Sequence, residues 1–257
     1  MDIVIISAVA FLVAILTFFS GFGLGTILTP VFMIFFPVDV AIALTGVVHF
    51  FNNVFKLILV GKKADKQVVL RFGIPAVIAA FIGAWLLLQI TDPNPLFRYT
   101  IGGRVFEVSL VTFIISVLLI IFALIDLIPY FNKLQFGKDK LPLGGALSGF
   151  FGGLSGNQGA LRSAFLIKAG LSKEAFIGTA VVVSTFVDLT RLLVYATRFS
   201  TSGIQQNVVI VISATLAAIA GAYIGNKLIK KVTMNFIKVT VAIMLIVLSI
   251  ALGAGII

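Results

Sequence analysis

Gly149-Phe150-Phe151-Gly152-Gly153-Leu154-Ser155-Gly156-Asn157-Gln158-Gly159, followed by Ala160-Leu161-Arg162, is not how a plain membrane helix is written. Five glycines and three polar side chains stand between two apolar stretches. Glycine is a poor helix former, and a cluster of it lets the backbone turn, unwind or approach a ligand. At membrane depth, non-helical backbone is tolerated only where protein or a water-filled cavity satisfies its polar groups. A second stretch of the same kind, Ser20-Gly21-Phe22-Gly23-Leu24-Gly25 with Thr26 and then Pro30, lies near the N-terminus. Close helix packing is the plainer reading of such glycines. Packing, however, needs neither Asn157 and Gln158 nor a charge at Arg162. Paired Gly-interrupted apolar segments in corresponding halves of a chain point to a transporter binding site.

Outside these stretches the chain is apolar. Of its 257 residues 60% are hydrophobic and 11% charged, against roughly a quarter charged in soluble domains. Runs of about twenty apolar residues, rather than alternating runs of about ten, favour membrane helices over a barrel. No stretch is polar and long enough for a soluble domain. There are no cysteines and one histidine, which excludes disulfides, thiolate metal sites and multi-histidine sites. The net charge of +10 falls in short loops and reads as a topology signal rather than a nucleic-acid surface. Met1-Asp2-Ile3 lacks the basic start of a signal peptide, so the first segment is expected to be retained.

The expected fold is all-α and polytopic, a single transmembrane domain over 1–257. Ile3–Phe19 and Thr26–Phe36 flank the first glycine cluster, and Leu141–Phe151 and Ala160–Ala169 the second. Spans are expected at Val40–Val60, Val68–Ile90, Val105–Leu127, Ala175–Ala196, Val208–Ile229 and Phe236–Ile257. Asp92-Pro93-Asn94-Pro95 reads as an interfacial turn, and Phe131 to Pro142 as the longest polar connection. The order repeats. A shift of 134 residues places Gly25 on Gly159, Ala41 on Ala175 and Thr45 on Thr179. With four residues more, Gly83-Ala84 falls on Gly221-Ala222. The halves are about 1–128 and about 141–257.

Charge sets the hand of this repeat. If each broken stretch enters and returns on one side, as a hairpin of two short helices, the repeats are inverted. One face then carries Lys62, Lys63, Lys66, Arg71, Lys133, Lys138, Lys140, Lys168, Lys173, Lys227, Lys230, Lys231 and Lys238. The other carries Arg98, Arg104 and Arg198, while Lys56, Arg162 and Arg191 stay within segments. Full crossings at the breaks would divide the basic loops almost evenly. The positive-inside rule therefore selects two inverted repeats, each a Gly-broken helical hairpin plus three transmembrane helices. Basic loops are expected in the cytoplasm, both termini outside, and the protein in the cell (inner) membrane.

Ionisable groups inside a membrane are costly and usually face a cavity or a partner. Thr45, His49, Asn52 and Lys56 step by 4, 3 and 4 and form one helical stripe, with Asn53 beside it. In the second half Ser184, Asp188 and Arg191 step by 4 and 3, and Tyr195 continues the line. Asp188 and Arg191 can pair at i, i+3. The two stripes correspond only if one residue is added to the repeat shift. Plainer readings are a structural ion pair for Asp188–Arg191, an interhelical hydrogen bond for His49, snorkelling to the basic face for Lys56, and a salt bridge to a lipid phosphate or to Asp188 for Arg162. Helix N-termini bind anions through unpaired N–H groups and a partial positive charge. Gly25-Thr26 and Gly159-Ala160 are expected to be two such N-termini, facing each other near the midplane. With donors from His49, Asn52, Asn157, Gln158 and Arg162 they make a substrate site for an anion. His49, Asp188 and Arg191 are the candidates for proton coupling or gating.

On Gly21-Phe22-Gly23-Leu24-Gly25, Gly152-Gly153-Leu154-Ser155-Gly156-Asn157-Gln158-Gly159, and the Ala-x-x-x-Thr of Ala41–Thr45 and Ala175–Thr179, the chain resembles the TauE/SafE sulfite exporter family over nearly its whole length. The first break has fewer glycines in a row than many members show. The resemblance implies a permease for sulfite or another small sulfur-containing oxyanion. Alternating access between the repeats is the expected mechanism, with a passive anion channel as the rival. No G-x-x-x-x-G-K motif is present, so coupling to an ion gradient or the substrate's own gradient is expected. Neither a cofactor, an enzymatic activity nor a nucleic-acid partner is expected. The expected partners are the anion and the lipid bilayer, and a homo-oligomer is compatible with the sequence.

Overall fold

The computed structural model describes residues 2–18, 24–90, 94–128, 136–166, 169–197, 207–228 and 234–256. Residues 20–23 of the first glycine cluster, residues 91–93 of the expected turn, and Lys133, Lys168, Arg198, Lys230 and Lys231 lie outside the described residues. The helices are α1 (Asp2–Thr17), α2 (Leu24–Met33), α3 (Val38–Val60), α4 (Lys66–Ile90), α5 (Leu110–Leu127), α6 (Leu141–Ser155), α7 (Gly159–Leu166), α8 (Lys173–Ala196), α9 (Val208–Leu228) and α10 (Met234–Gly253). Four, Val38–Lys63, Lys66–Ile90, Lys173–Ala196 and Val208–Lys227, are long and apolar enough to cross a membrane by length and composition.

One expected span is cut short. Val105–Ser109, taken above as the start of a helix, belongs to β2 (Arg104–Ser109), which pairs antiparallel with β1 (Pro95–Ile101). Apolar residues of strand period were hidden inside an apolar run, where periodicity alone does not separate strand from helix. The hairpin turns at Gly102-Gly103, both at positive φ, as a tight two-residue turn requires. Tyr99 stacks on Phe106 across the strands, with ring centroids 5.2 Å apart. Ser109 then caps α5, accepting from the Thr112 N–H at 3.1 Å. At 18 residues α5 is about 27 Å long, slightly under the bilayer's hydrocarbon thickness of about 30 Å. The fold is therefore predominantly helical rather than all-α. The last helix also ends early, at Gly253, and Gly255 turns the chain at φ +62°.

Helix pairing is reciprocal between the halves. α1 packs on α9 and α6 on α4; α2 meets α10 and α7 meets α5; α3 lies on α9 and α4 on α8. α3 packs on α8, and α5 on α10. Each half thus inserts its first helix against the fourth of the other. Glycine makes the closest contact. Gly145, Gly149 and Gly153 stand four apart on α6, and a Cβ on them would lie 2.1, 1.9 and 2.2 Å from the carbonyl oxygens of Phe72, Ala76 and Ala80 on α4. Gly221 of α9 stands likewise against the Phe11 carbonyl of α1, at 2.3 Å. α6 accordingly runs unbroken through Gly149, Gly152 and Gly153. Those glycines serve packing, and the break narrows to Gly156-Asn157-Gln158.

Gly149→Ala should therefore destabilise the protein by about 1–3 kcal/mol, because backbone rather than a movable side chain blocks the methyl. Leu147→Ala, on the exposed side of the same helix, should change little. Thermal unfolding in detergent compares the two.

Candidate functional site

The site grows from the second break. Gly156 caps α6 in the left-handed conformation, φ +75°, with its N–H donating to the Gly152 carbonyl at 3.0 Å. A side chain would be strained there. The Asn157 N–H donates to Ser155 Oγ at 3.3 Å. The Gln158 carbonyl accepts from Ser148 Oγ at 2.9 Å and from the Arg162 N–H at 3.1 Å, which starts α7 at Gly159. α2 begins at Leu24, so Gly25 and Thr26 lie in its first turn. Its Thr26 Oγ1 donates to Asn157 Oδ1 at 2.8 Å. A Cβ on Gly25 would sit 3.3 Å from the Gly156 carbonyl oxygen and 3.5 Å from the His49 ring. The first described turn of α2 and the start of α7 thus come together across the two halves, and the first-turn N–H groups of α7 lack intrahelical partners.

α3 and α8 run antiparallel beside this junction. Gly46 lies against the Arg191 guanidinium at one end, and Gly178 against the Val60 carbonyl at the other. Between them stands Asp188, with no exposed surface. Its Oδ2 is 2.6 Å from His49 Nδ1 and accepts from Asn53 Nδ2 at 2.9 Å. Its Oδ1 accepts from Gln158 Nε2 at 3.2 Å and Arg191 Nε at 3.0 Å, with Arg191 Nη2 at 2.9 Å. One carboxylate thereby ties α3, α8 and the helix break together. Arg162, 1% exposed, donates from Nη1 to Gln158 Oε1 at 3.0 Å and to Ser184 Oγ. Gln158 therefore bridges Arg162 to Asp188. Tyr195 donates its hydroxyl to the Gly153 carbonyl near the end of α6.

All the residues singled out from the sequence fall in this one region: Gly25, Thr26, His49, Asn157, Gln158, Gly159, Arg162, Asp188 and Arg191 through the contacts above, and Asn52 through its place on the α3 stripe. Asn52 is fully buried, and neither its Oδ1 nor its Nδ2 has a hydrogen-bond partner among the described residues; the same holds for Asn157 Nδ2 and Thr45 Oγ1. Asn53 and Ser184, noted only as members of stripes, are direct partners of the charges. Lys56 departs from expectation. It does not snorkel outward: it is 6% exposed, and its Nζ lies 5.3 Å from the Phe18 ring centroid at the end of α1.

Among the described residues the buried charges are Lys56, Arg162, Arg191 and Asp188. Three cations against one carboxylate leave a formal excess of two positive charges before any proton on His49 is counted. No three His, Cys, Asp or Glu side chains converge as metal ligands among the described residues. Chemically, the arrangement gathers hydrogen-bond donors and positive charge in one buried region.

A family model described as sulfite exporter TauE/SafE matches residues 6–252. No curated protein and no solved structure matches the chain.

The Asp188 contacts predict a strong asymmetry between single and double changes. Asp188→Asn leaves Arg191 buried without its counter-charge and should cost about 3–5 kcal/mol. Asp188→Asn combined with Arg191→Gln should recover a large part of that loss. Unfolding midpoints of the singles and the double in one detergent measure the coupling.

Proposed function

This chain belongs to the TauE/SafE sulfite exporter family, and on that premise we propose that it carries a small sulfur oxyanion, sulfite first, by alternating access between two inverted repeats. The observation that carries this reading is the excess of buried cations on α3, α7 and α8, Lys56, Arg162 and Arg191 against Asp188 alone, around the second helix break. A cation without a carboxylate is costly away from water, and an anion supplies what the protein withholds. The ligand would lie against the first-turn N–H groups of α2 and α7, with Asn157, Gln158 and Arg162 as side-chain donors and His49 and Asn52 at its edge.

The reciprocal helix pairing supports the inverted repeat, because a duplicated unit related by a two-fold axis in the membrane plane would make each inter-half contact twice. Rocking one repeat against the other would expose the junction alternately. Coupling to protons would run through the Asp188 cluster. An anion drawing Arg191 away from Asp188 leaves the carboxylate short of positive charge, and a proton taken up at the His49–Asp188 pair restores it. Anion and proton would then bind together.

In proteoliposomes the protein should take up sulfite with saturation, and unlabelled sulfite on the opposite side should accelerate the exchange. Flux that is linear in concentration and indifferent to trans substrate would replace the carrier with a channel. Arg162→Gln should reduce binding about tenfold or more. Asp188→Asn should still exchange substrate but lose its response to an imposed pH gradient; a full response would remove Asp188 from the coupling role.

Sidedness follows from charge. In this cysteine-free chain, single cysteines at Lys138 and Arg104 should be labelled from opposite sides, Lys138 from the cytoplasm. A cysteine at Phe36 should share the side of Arg104. Labelling of Phe36 and Lys138 from the same side would sink the inverted arrangement.

A further inference from the structure

Lys56 is a buried cation whose described contacts reach no carboxylate. Its position is not arbitrary. On α8 Ser184, Asp188 and Arg191 step by 4 and 3; on α3 His49, Asn53 and Lys56 step by 4 and 3. A shift of 135, one more than aligns the glycine breaks, superposes the two sets and puts Lys56 where Arg191 stands. Their surroundings correspond too. Each is directed at the end of the first helix of its own half: Arg191 Nη1 at Gly156, where a Cβ would lie 3.0 Å away, and Lys56 Nζ at the Phe18 ring.

The difference between them is the residue three before. Asp188 neutralises Arg191, whereas Asn53 stands in that place before Lys56 and spends its Nδ2 on Asp188. Lys56 is long enough to reach an aqueous face, yet it turns inward, and holding an unpaired ammonium there is costly. One turn before it on the same helix face, Asn52 is fully buried with both amide atoms unpartnered among the described residues. A buried cation and an unused amide thus stand one turn apart on one face of α3.

We propose that Lys56, with the Asn52 amide, is a second anion-coordinating point that takes the second negative charge of a doubly charged substrate. The inference rests on the anion-carrier reading and narrows it: the substrate is an oxyanion dianion rather than a monoanion. The competing role for Lys56 is structural, closing the carbonyl end of α1.

Calorimetric titration of the purified full chain separates the two. Sulfite in alkaline buffer, where it is doubly charged, is compared with methanesulfonate, which has the same SO3 head and one charge. Lys56→Gln should weaken sulfite about tenfold or more and methanesulfonate by less than about twofold, and Lys56→Arg should restore most of the loss. Asn52→Ala should show the same selectivity if Lys56→Gln does not fold. Unchanged sulfite affinity, or equal weakening of both anions, overturns the proposal. If methanesulfonate binds too weakly to measure, loss of sulfite binding in Lys56→Gln with rescue in Lys56→Arg supports it, and loss without rescue overturns it. Absence of binding by the unaltered protein overturns the carrier reading itself, and this inference with it.

Discussion

A carboxylate with no path to water must be answered within the protein, and Asp188 is answered from every side. Burying an ion costs several kcal/mol even after the surroundings relax. That cost is met here by His49 and Asn53 from α3, Gln158 from the α6–α7 break, and Arg191 from its own helix. The same contacts fix the register of α3 against α8 and hold the break at its place along both. Gln158 is central because an amide both donates and accepts. Its Nε2 serves Asp188 while its Oε1 serves Arg162.

The break itself is a solution to a backbone problem. Ending a helix inside a membrane leaves carbonyls and N–H groups that lipid cannot satisfy. Gly156 turns the chain in the left-handed region, and Ser148, Ser155, Thr26 and Tyr195 occupy polar groups near the gap. What stays open is the first turn of α7, where the helix dipole is positive. This turn meets the first described turn of α2 through the Thr26–Asn157 hydrogen bond.

Glycine carries two separate duties in this chain. At Gly145, Gly149 and Gly153 it admits the backbone of α4, and at Gly221 that of α1. These contacts set how closely the first helix of each half docks on the fourth of the other. At Gly156 it supplies a conformation. The first duty packs the two halves together; the second ends α6 and turns the chain toward α7. A movement of one half against the other would slide along the first kind of contact and re-aim the second.

Much of this was legible in the amino-acid order. Apolar length located the helices, because a membrane span needs about twenty residues whatever it packs against. The family resemblance, the two glycine clusters and the spacing of His49, Asp188, Arg191 and Arg162 were equally local, since a stripe on one helix is a matter of 3.6 residues per turn. Spacing alone could not tell which glycines pack and which bend, because that depends on the backbone of a helix some seventy residues away. The hairpin at Pro95–Ser109 was equally hidden: Val105, Phe106 and Val108 suit a helix or a strand, and only pairing with Pro95–Ile101 made this stretch a strand. Partners were the last unknown. A lysine near a basic face reads as snorkelling until the tertiary structure sets Phe18 over it, and a buried acid four turns along another helix is linked to His49 only when α3 and α8 are laid side by side. Sequence determines what each helix offers on each face; the packing of distant helices decides which offers meet.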